Sequence, residues 1–341
     1  MKAIIVGIGF ISETHVNGIR SAGGEVSWIV GRDIQRTSAF ASANSIPNWT
    51  TNLGDALASD AEIVHICTPP HTHGEIIRAC LKAGKHIICE KPLAIDTAEA
   101  KALAEEAEDA YMKSGLVTAL CCNVRYYPAN LKIAKEIRAS ENGSAQSNQS
   151  VKVFNGSYLQ EFHIPPHPDG WRFDDELSGG MRALTEIGTH WIDLAYAWTG
   201  LKITEVSAAL GNWFPLRYLK DGMLTEDASG EVREVESEDT AAVLMKFENG
   251  AIGTLLLSET APGHPNDLSI EVTDLKNSYK WEEANETDRD ATFAALFGEV
   301  YASIEGGRHG AYPNFHDGAY IAAVCSAIKH SADSGRWTKV E

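Results

Sequence analysis

Five short apolar runs recur through the first third of the chain, each followed by a stretch of helical character. They read "KAIIVG" from Lys2, "EVSWIV" from Glu25, "EIVHIC" from Glu62, "KHIICE" from Lys85 and "LVTALCC" from Leu116. The clearest intervening helix is "TAEAKALAEEAEDAYMKSG", with Asp96 and Thr97 as its N-cap signal and Gly115 closing it. Strands joined by such crossovers pair in parallel, and a parallel sheet is covered by helices on both faces. Ligands of these sheets bind beyond the carboxyl ends of the strands. That rule sets Gly7–Gly9, Thr68–His73 and Glu90–Pro92 along one rim.

After Cys122 the texture changes. A helix is expected from about Tyr126 to Ala139, then a polar loop, "SENGSAQSNQS". Longer alternating strands follow, best seen in "TAAVLMKFENGAIGTLLLSE", where Asn249-Gly250 is a strong hairpin signal. Alternation puts Val243, Met245, Leu255 and Leu257 on one face of that hairpin, and Leu244, Ile252 and Leu256 on the other. The first face is expected to meet helices. The second, diluted by Lys246 and Thr254, is expected to meet another subunit. "MLTEDASGEVREVESED" is acidic and turn-rich and reads as a solvated loop. At 341 residues two domains are expected: an α/β domain over 1–122 and an α+β domain over 123–341, with a helix at about 315–333 packing back on the first.

With 47 acidic against 29 basic residues the formal charge is −18, which argues against nucleic acid or an anionic membrane as partner. No apolar stretch approaches the roughly 20 residues of a membrane span, and "MKAIIVGIGF" lacks the features of a signal peptide. Cys67, Cys80, Cys89, Cys121, Cys122 and Cys325 match neither a zinc site nor a disulfide framework, so buried thiols in a cytoplasmic protein are expected. His71-x-His73 and His163-x₃-His167 have no third partner at metal-site spacing, and no metal is expected.

Gly7-x-Gly9 closes the first strand and opens the first helix, with Phe10, Ile11 and Ser12 following. The first glycine permits the tight turn; the second lets a pyrophosphate approach the helix N-terminus. In this βαβ context the motif reads as a dinucleotide site, contributed by Gly7, Gly9, Phe10 and Ile11. Where an acidic residue would grip the ribose, the second strand ends in Gly31, followed by Arg32. The missing carboxylate and adjacent guanidinium favour NADP(H) over NAD(H). The alternative is a solvated Arg32, with Asp33 taking the ribose contact.

Several segments together resemble the Gfo/Idh/MocA family, which includes glucose–fructose oxidoreductase and inositol dehydrogenase. They are Gly7-x-Gly9, Thr68-Pro69-Pro70 with His73, "AGKHIICEKPLA", Arg125-Tyr126-Tyr127-Pro128, "GGMRALTEIGTHWIDLAYAWTG" and "YPNFHDGAYIAAVCSAI". The resemblance implies a Rossmann domain plus a domain with a large, mainly antiparallel open-faced sheet, assembled as a dimer or tetramer. It also implies that Thr68, Pro69, His73, Glu90 and Lys91 border the cofactor, with Lys91 beside the nicotinamide.

An ammonium there can donate to a substrate hydroxyl and lower its pKa. Glu186 and His190 are spaced i, i+4 on a helix, and a histidine beside a carboxylate is a natural general base. Family members have Asp where this chain has Glu186, which leaves two readings for it: an orienting carboxylate or a helix-face hydrogen bond. Asp193 reads as structural. Arg125, Tyr158, His163, Trp171 and Arg172 complete the expected substrate set, with ring faces and polar groups suited to a sugar or cyclitol. The expected reaction has His190 take the alcohol proton, Lys91 polarise that oxygen, and hydride pass to nicotinamide. A retained-cofactor enzyme doing internal redox on a sugar, and a non-catalytic dinucleotide sensor, are the alternatives.

Overall fold

The computed structural model describes residues 1–139, 150–286, 288–307 and 310–341; nearly all of the polar stretch read as a loop lies outside them. The chain forms two compact units, Met1–Tyr127 with Asp288–Tyr320, and Pro128–Thr287 with Ile321–Glu341.

In the first unit β1 (Lys2–Val6), α1 (Phe10–Ser21), β2 (Glu25–Val30), α2 (Ile34–Ala43), β3 (Asn48–Thr50), α3 (Leu53–Leu57) and β4 (Ile63–Ile66) alternate strand and helix. α4 (His73–Lys82), β5 (His86–Cys89), α5 (Thr97–Ser114) and β6 (Thr118–Leu120) continue the pattern. The six strands form one parallel sheet in the order β3-β2-β1-β4-β5-β6. Both faces are covered, so β4 is buried at every residue and the strands read as continuous apolar runs. Asp33 and Asp96 cap α2 and α5 by accepting from the amides of Arg36 and Glu99. Gly115 ends α5 at φ 69°, the left-handed conformation that favours glycine.

The second unit opens with α6 (Pro128–Ala139), β7 (Val153–Leu159), β8 (His167–Pro168), α7 (Asp175–Ser178) and α8 (Thr189–Thr199). β9 (Ile203–Gly211), β10 (Leu216–Lys220), β11 (Met223–Thr225) and β12 (Glu231–Glu234) come next. β13 (Thr240–Phe247), β14 (Ile252–Ser258), β15 (Asp267–Thr273) and β16 (Ser278–Glu282) complete the long strands. The hairpin over Asn249-Gly250 forms with Thr240 opposite Ser258 and Lys246 opposite Ile252. Val243, Met245, Leu255 and Leu257 are buried, whereas Leu244, Ile252 and Leu256 are 51%, 61% and 44% exposed. α8 lies on the buried face through Trp191, whose Nε1 donates to Ser269 O at 3.1 Å. Gly156 makes room for that indole, since a Cβ there would stand 2.1 Å from Trp191 Nε1.

Two expectations need correcting. The acidic segment "MLTEDASGEVREVESED" is not simply a solvated loop. It supplies β11 and β12 to a small sheet ordered β12-β10-β11-β8, and ends in buried Glu238 and Asp239. The first unit also extends beyond residue 122, to Tyr127, and takes in 288–320. α9 (Arg289–Gly306) lies along α1, with Phe293, Leu296, Phe297, Val300 and Tyr301 joining Val16 and Ile19 in one core. Gly18 permits that approach, because a Cβ would meet the Phe297 ring at 2.7 Å. Of α10 (Phe315–Ser334), only Phe315–Tyr320 belong to the first unit. There Gly318 faces Leu93 and Leu120. From Ile321 the helix belongs to the second unit, where β17 (Thr338–Lys339) adds to β9. All six cysteines are buried free thiols. Among the described residues no helix is long and apolar enough to cross a membrane.

Candidate active site

Gly7 turns sharply at the end of β1, with φ +116° and amide N donating to Val30 O at 2.8 Å. A Cβ there would lie 2.7 Å from Cys67 O, so both backbone angle and space require glycine. Gly9 is the N-cap of α1, and nothing stands within 4 Å of where its Cβ would be. The helix N-terminus is therefore open to an approaching anion. Phe10 is exposed and Ile11 half-buried beside it, while Ser12, the third fingerprint position, is fully buried.

At the end of β2, a Cβ on Gly31 would fall 2.3 Å from Thr37 Oγ1, which explains why no carboxylate stands there. Asp33 accepts from Arg36 N at 2.8 Å as the cap of α2, and Arg32 is exposed.

The segment after β4 is tied to the turn after β5 by His73. Its Nε2 lies 2.8 Å from Thr68 O and its Nδ1 3.0 Å from Pro92 O. The ring is fully buried, and burial pushes its pKa down. His73 thus holds Thr68-Pro69 and the Glu90–Pro92 turn together from behind the rim.

Glu90 is buried, with Oε1 3.0 Å from His15 Nε2 and Oε2 accepting from Lys91 N at 3.2 Å. Burial works against its charge, but the His15 hydrogen bond and Lys91 outweigh it and hold the carboxyl below its ordinary pKa. Lys91 is half-buried, and its peptide to Pro92 is cis. Arg125 pairs with Asp317, Nη2 to Oδ2 at 3.3 Å.

In the second unit the segment read as one α-helix begins with a π turn, Leu184–Gly188, before α8 starts at Thr189. Glu186 lies within that π turn and His190 in the first turn of α8. Glu186 pairs with Arg172, whose guanidinium lies 4.7 Å over the Trp171 ring. The His190 ring faces that of Tyr158 at 6.3 Å, and Tyr158 OH donates to Asn266 Oδ1 at 3.0 Å. Donor atoms of His163, Glu186 and Glu259 lie within 4.8 Å of one another.

Behind this group lies a buried ionic cluster that the sequence reading missed. Arg182 pairs with Asp239 and, at 3.3 Å, with Glu259; Arg217 reaches Asp239 at 3.1 Å. All four side chains are fully buried. His163 Nδ1 donates to Glu259 Oε2 at 2.9 Å. Burial pushes Glu238 up to about 7, although the amides of Leu184 and Arg182 donate to it. His167, in contact with Arg217, is pushed by burial down to about 4. One signal was available. The hairpin register places Asp239 and Glu259 just beyond the paired Thr240 and Ser258, and Glu259 N donates to Asp239 O at 2.9 Å. Two carboxylates side by side at the end of a buried hairpin demand cations, and the two arginines supply them.

Among the described residues two groups have metal-ligating atoms close together, His15–Glu90–Cys121 and His163–Glu186–Glu259. In the first, His15 and Glu90 are hydrogen-bonded to each other. The second already has the guanidiniums of Arg172 and Arg182 on its carboxylates.

Residues 1–114 match the model of the oxidoreductase family with NAD-binding Rossmann fold, and residues 150–279 that of the GFO/IDH/MocA C-terminal domain. The levoglucosan dehydrogenase of Pseudarthrobacter phenanthrenivorans is 30% identical, over 88% of this chain and 85% of that protein. The myo-inositol 2-dehydrogenase of Thermotoga maritima is 25% identical over 100% of this chain and 99% of its own length. A solved levoglucosan dehydrogenase, in complex with NADH and L-sorbose, superposes with a TM-score of 0.89 at 25% identity, covering 100% of this chain and 99% of the other.

Proposed function

Because the chain belongs to the GFO/IDH/MocA family of oxidoreductases, we propose that it is an NADP(H)-dependent dehydrogenase acting on a secondary alcohol of a sugar or cyclitol. The observation that carries this reading is the Glu90–Lys91 turn. It leaves the carboxyl end of β5, in the same parallel sheet as the Gly7 turn at the end of β1, with Glu90 anchored as a carboxylate. Gly7 and Gly9 fit a dinucleotide, since the first has no room for a side chain and the second leaves the N-terminus of α1 open. The absence of a carboxylate at Gly31, the exposed Arg32 and the engagement of Asp33 as a cap favour a 2′-phosphate.

When bound, the nicotinamide supplies the hydride acceptor or donor. Lys91 donates to the substrate oxygen, lowers its pKa and fixes its orientation. His190 holds the proton that leaves or enters that oxygen. Glu186, through its ion pair, sets Arg172 over Trp171, giving a ring face with polar edges suited to a sugar. Tyr158 and His163 border the same substrate, and Arg125 is held for it by Asp317. The exposed apolar face of β13 and β14 meets a second copy of this chain; a sedimentation mass of at least a dimer is expected, and a monomer would contradict it.

The test is steady-state turnover over a panel of sugars and cyclitols, with parent, Lys91→Ala and His190→Ala. Each variant should lose about 100- to 10,000-fold in kcat. Near-normal turnover in both would refute the assignment.

A further inference from the structure

Glu90 is the end of a longer buried series. His15 Nε2 meets Glu90 Oε1 at 3.0 Å, His15 Nδ1 meets His65 Nδ1 at 3.0 Å, and His65 Nε2 meets Tyr301 OH at 3.0 Å. Both histidines are fully buried, and Tyr301 is buried with them. The Phe297 ring lies 4.9 Å from His15 and 4.6 Å from His65, and Phe293 lies 5.9 Å from His15. Glu90 aside, no part of the chemistry proposed above uses these groups.

Proton counting selects one arrangement. The Nδ1–Nδ1 contact needs one proton between the two rings. An ionised Glu90 has none to offer, so His15 Nε2 carries a proton and donates it. If His15 were also protonated at Nδ1, His65 would accept there and present Nε2–H to the tyrosine. The Tyr301 hydroxyl, whose hydrogen-bond partner among the described residues is His65, would then be a buried donor with no acceptor. With both rings neutral every group is matched. Tyr301 O–H donates to His65 Nε2, His65 Nδ1–H to His15 Nδ1, and His15 Nε2–H to Glu90. Burial pushes the His65 pKa well down and the Tyr301 pKa up, which agrees with a neutral His65 and an un-ionised Tyr301.

We infer that Tyr301, His65 and His15 form a one-way hydrogen-bond relay that keeps Glu90 ionised and aimed, and thereby sets the lower pH limit at which Lys91 works. Tyr301, His65 and His15 are positioning residues acting through Glu90. The other titratable groups facing Glu90 are Lys91, His73 and three thiols, Cys67 after β4, Cys89 ending β5 and Cys121 after β6. Burial pushes all three thiols well up, so they stay neutral, and His73 is neutral too. The charge on Glu90 is stabilised by the relay, by Lys91 and by a hydrogen bond from the Cys121 thiol.

Only the kinetic arm of the test rests on the dehydrogenase reading. The structural arm is ¹⁵N NMR of the full chain labelled at histidine, from pH 5 to 9, with signals assigned by their loss in His15→Gln and His65→Gln. His15 should carry its proton on Nε2 and His65 on Nδ1, each ring with one proton. A cationic His15, or His65 protonated at Nε2, would overturn the relay even if the enzyme is active. In the kinetic arm, ketone reduction with NADPH is followed against pH, a direction in which a protonated His190 does not limit the acid side. His15→Asn, too short to reach Glu90, should raise the acid limb by about one unit, roughly a tenfold loss at low pH. His15→Gln, whose amide nitrogen replaces Nε2, should restore the limb. A uniform loss at every pH in His15→Asn, with the limb unmoved, would contradict the inference. Inactivity of the parent on every sugar tried would instead count against the dehydrogenase reading, with the NMR result deciding the relay.

Discussion

In the first unit a single carboxylate, Glu90, is buried at the end of a hydrogen-bonded series that runs from Tyr301 through His65 to His15. In the second, two arginines are buried against Asp239 and Glu259, with Glu238 beside them. The first solution leaves the anion able to act on its neighbour, Lys91. The second neutralises itself. Two guanidiniums balance two carboxylates, so a third negative charge is resisted; burial, with Glu259 nearby, raises the Glu238 pKa to about 7. Such a cluster suits holding a wall in place, and its members touch His163 and the π turn that presents Glu186.

The comparison is broken most directly by removing Asp239. Its two oxygens serve Arg182, Arg217 and the amides of Trp213 and Phe214. Asp239→Ala leaves two buried cations short of charge, and about 3–5 kcal/mol of stability should be lost in urea unfolding. A change under about 1 kcal/mol would show that the cluster is hydrated and the contrast unreal.

A smaller effect separates the units by pH. The Glu238 pKa is raised from 4.5 unfolded to about 7 folded, so the native state binds more protons between those values. Its contribution to stability is therefore complete below about pH 4.5 and is lost as pH rises through about 7. His65 runs the other way. It stays neutral when folded, so stability falls as pH drops below its unfolded value of about 6.5. His167, lowered to about 4, has the same sign as His65, which is why variant-minus-parent differences are needed. Glu238→Gln keeps an oxygen for the Arg182 and Leu184 amides and should exceed the parent in stability by about 1–3 kcal/mol above pH 7, with the gap closing toward pH 4.5. A gap independent of pH would mean that Glu238 is ionised throughout.

The two units also differ in how far their sequences reveal them. The strands of the first unit announce themselves because burial on both faces forces continuous apolar runs, as in Ile63–Ile66. β3 does not: it is a three-residue edge strand with Trp49 exposed. The return of α9 to α1 is a long-range contact, visible only as the need for Gly18 once Phe297 is beside it. In the second unit Asn249-Gly250 and strict alternation define the hairpin, because one face is buried and the other open. Glu238 and Asp239 were concealed by composition, since acidic residues are rarely buried unless paired, and their arginines lie far away in the chain. The π turn at Leu184–Gly188 has no periodic signature, so the spacing of Glu186 and His190 gave an α-helical expectation that the backbone does not follow. The candidate site is accordingly clearest at Gly7, where backbone angle and space require glycine, and least so in the π turn that carries Glu186.

The most direct test of the dehydrogenase reading follows the hydride itself. A sugar or cyclitol that turns over would be prepared with deuterium at its carbinol carbons and incubated with NADP⁺ and, separately, NAD⁺. The account predicts reduced nicotinamide carrying one deuterium, formed faster with NADP⁺, and formed at least about 100-fold more slowly when Lys91→Ala replaces the parent. Product without deuterium, or undiminished transfer in Lys91→Ala, would contradict it.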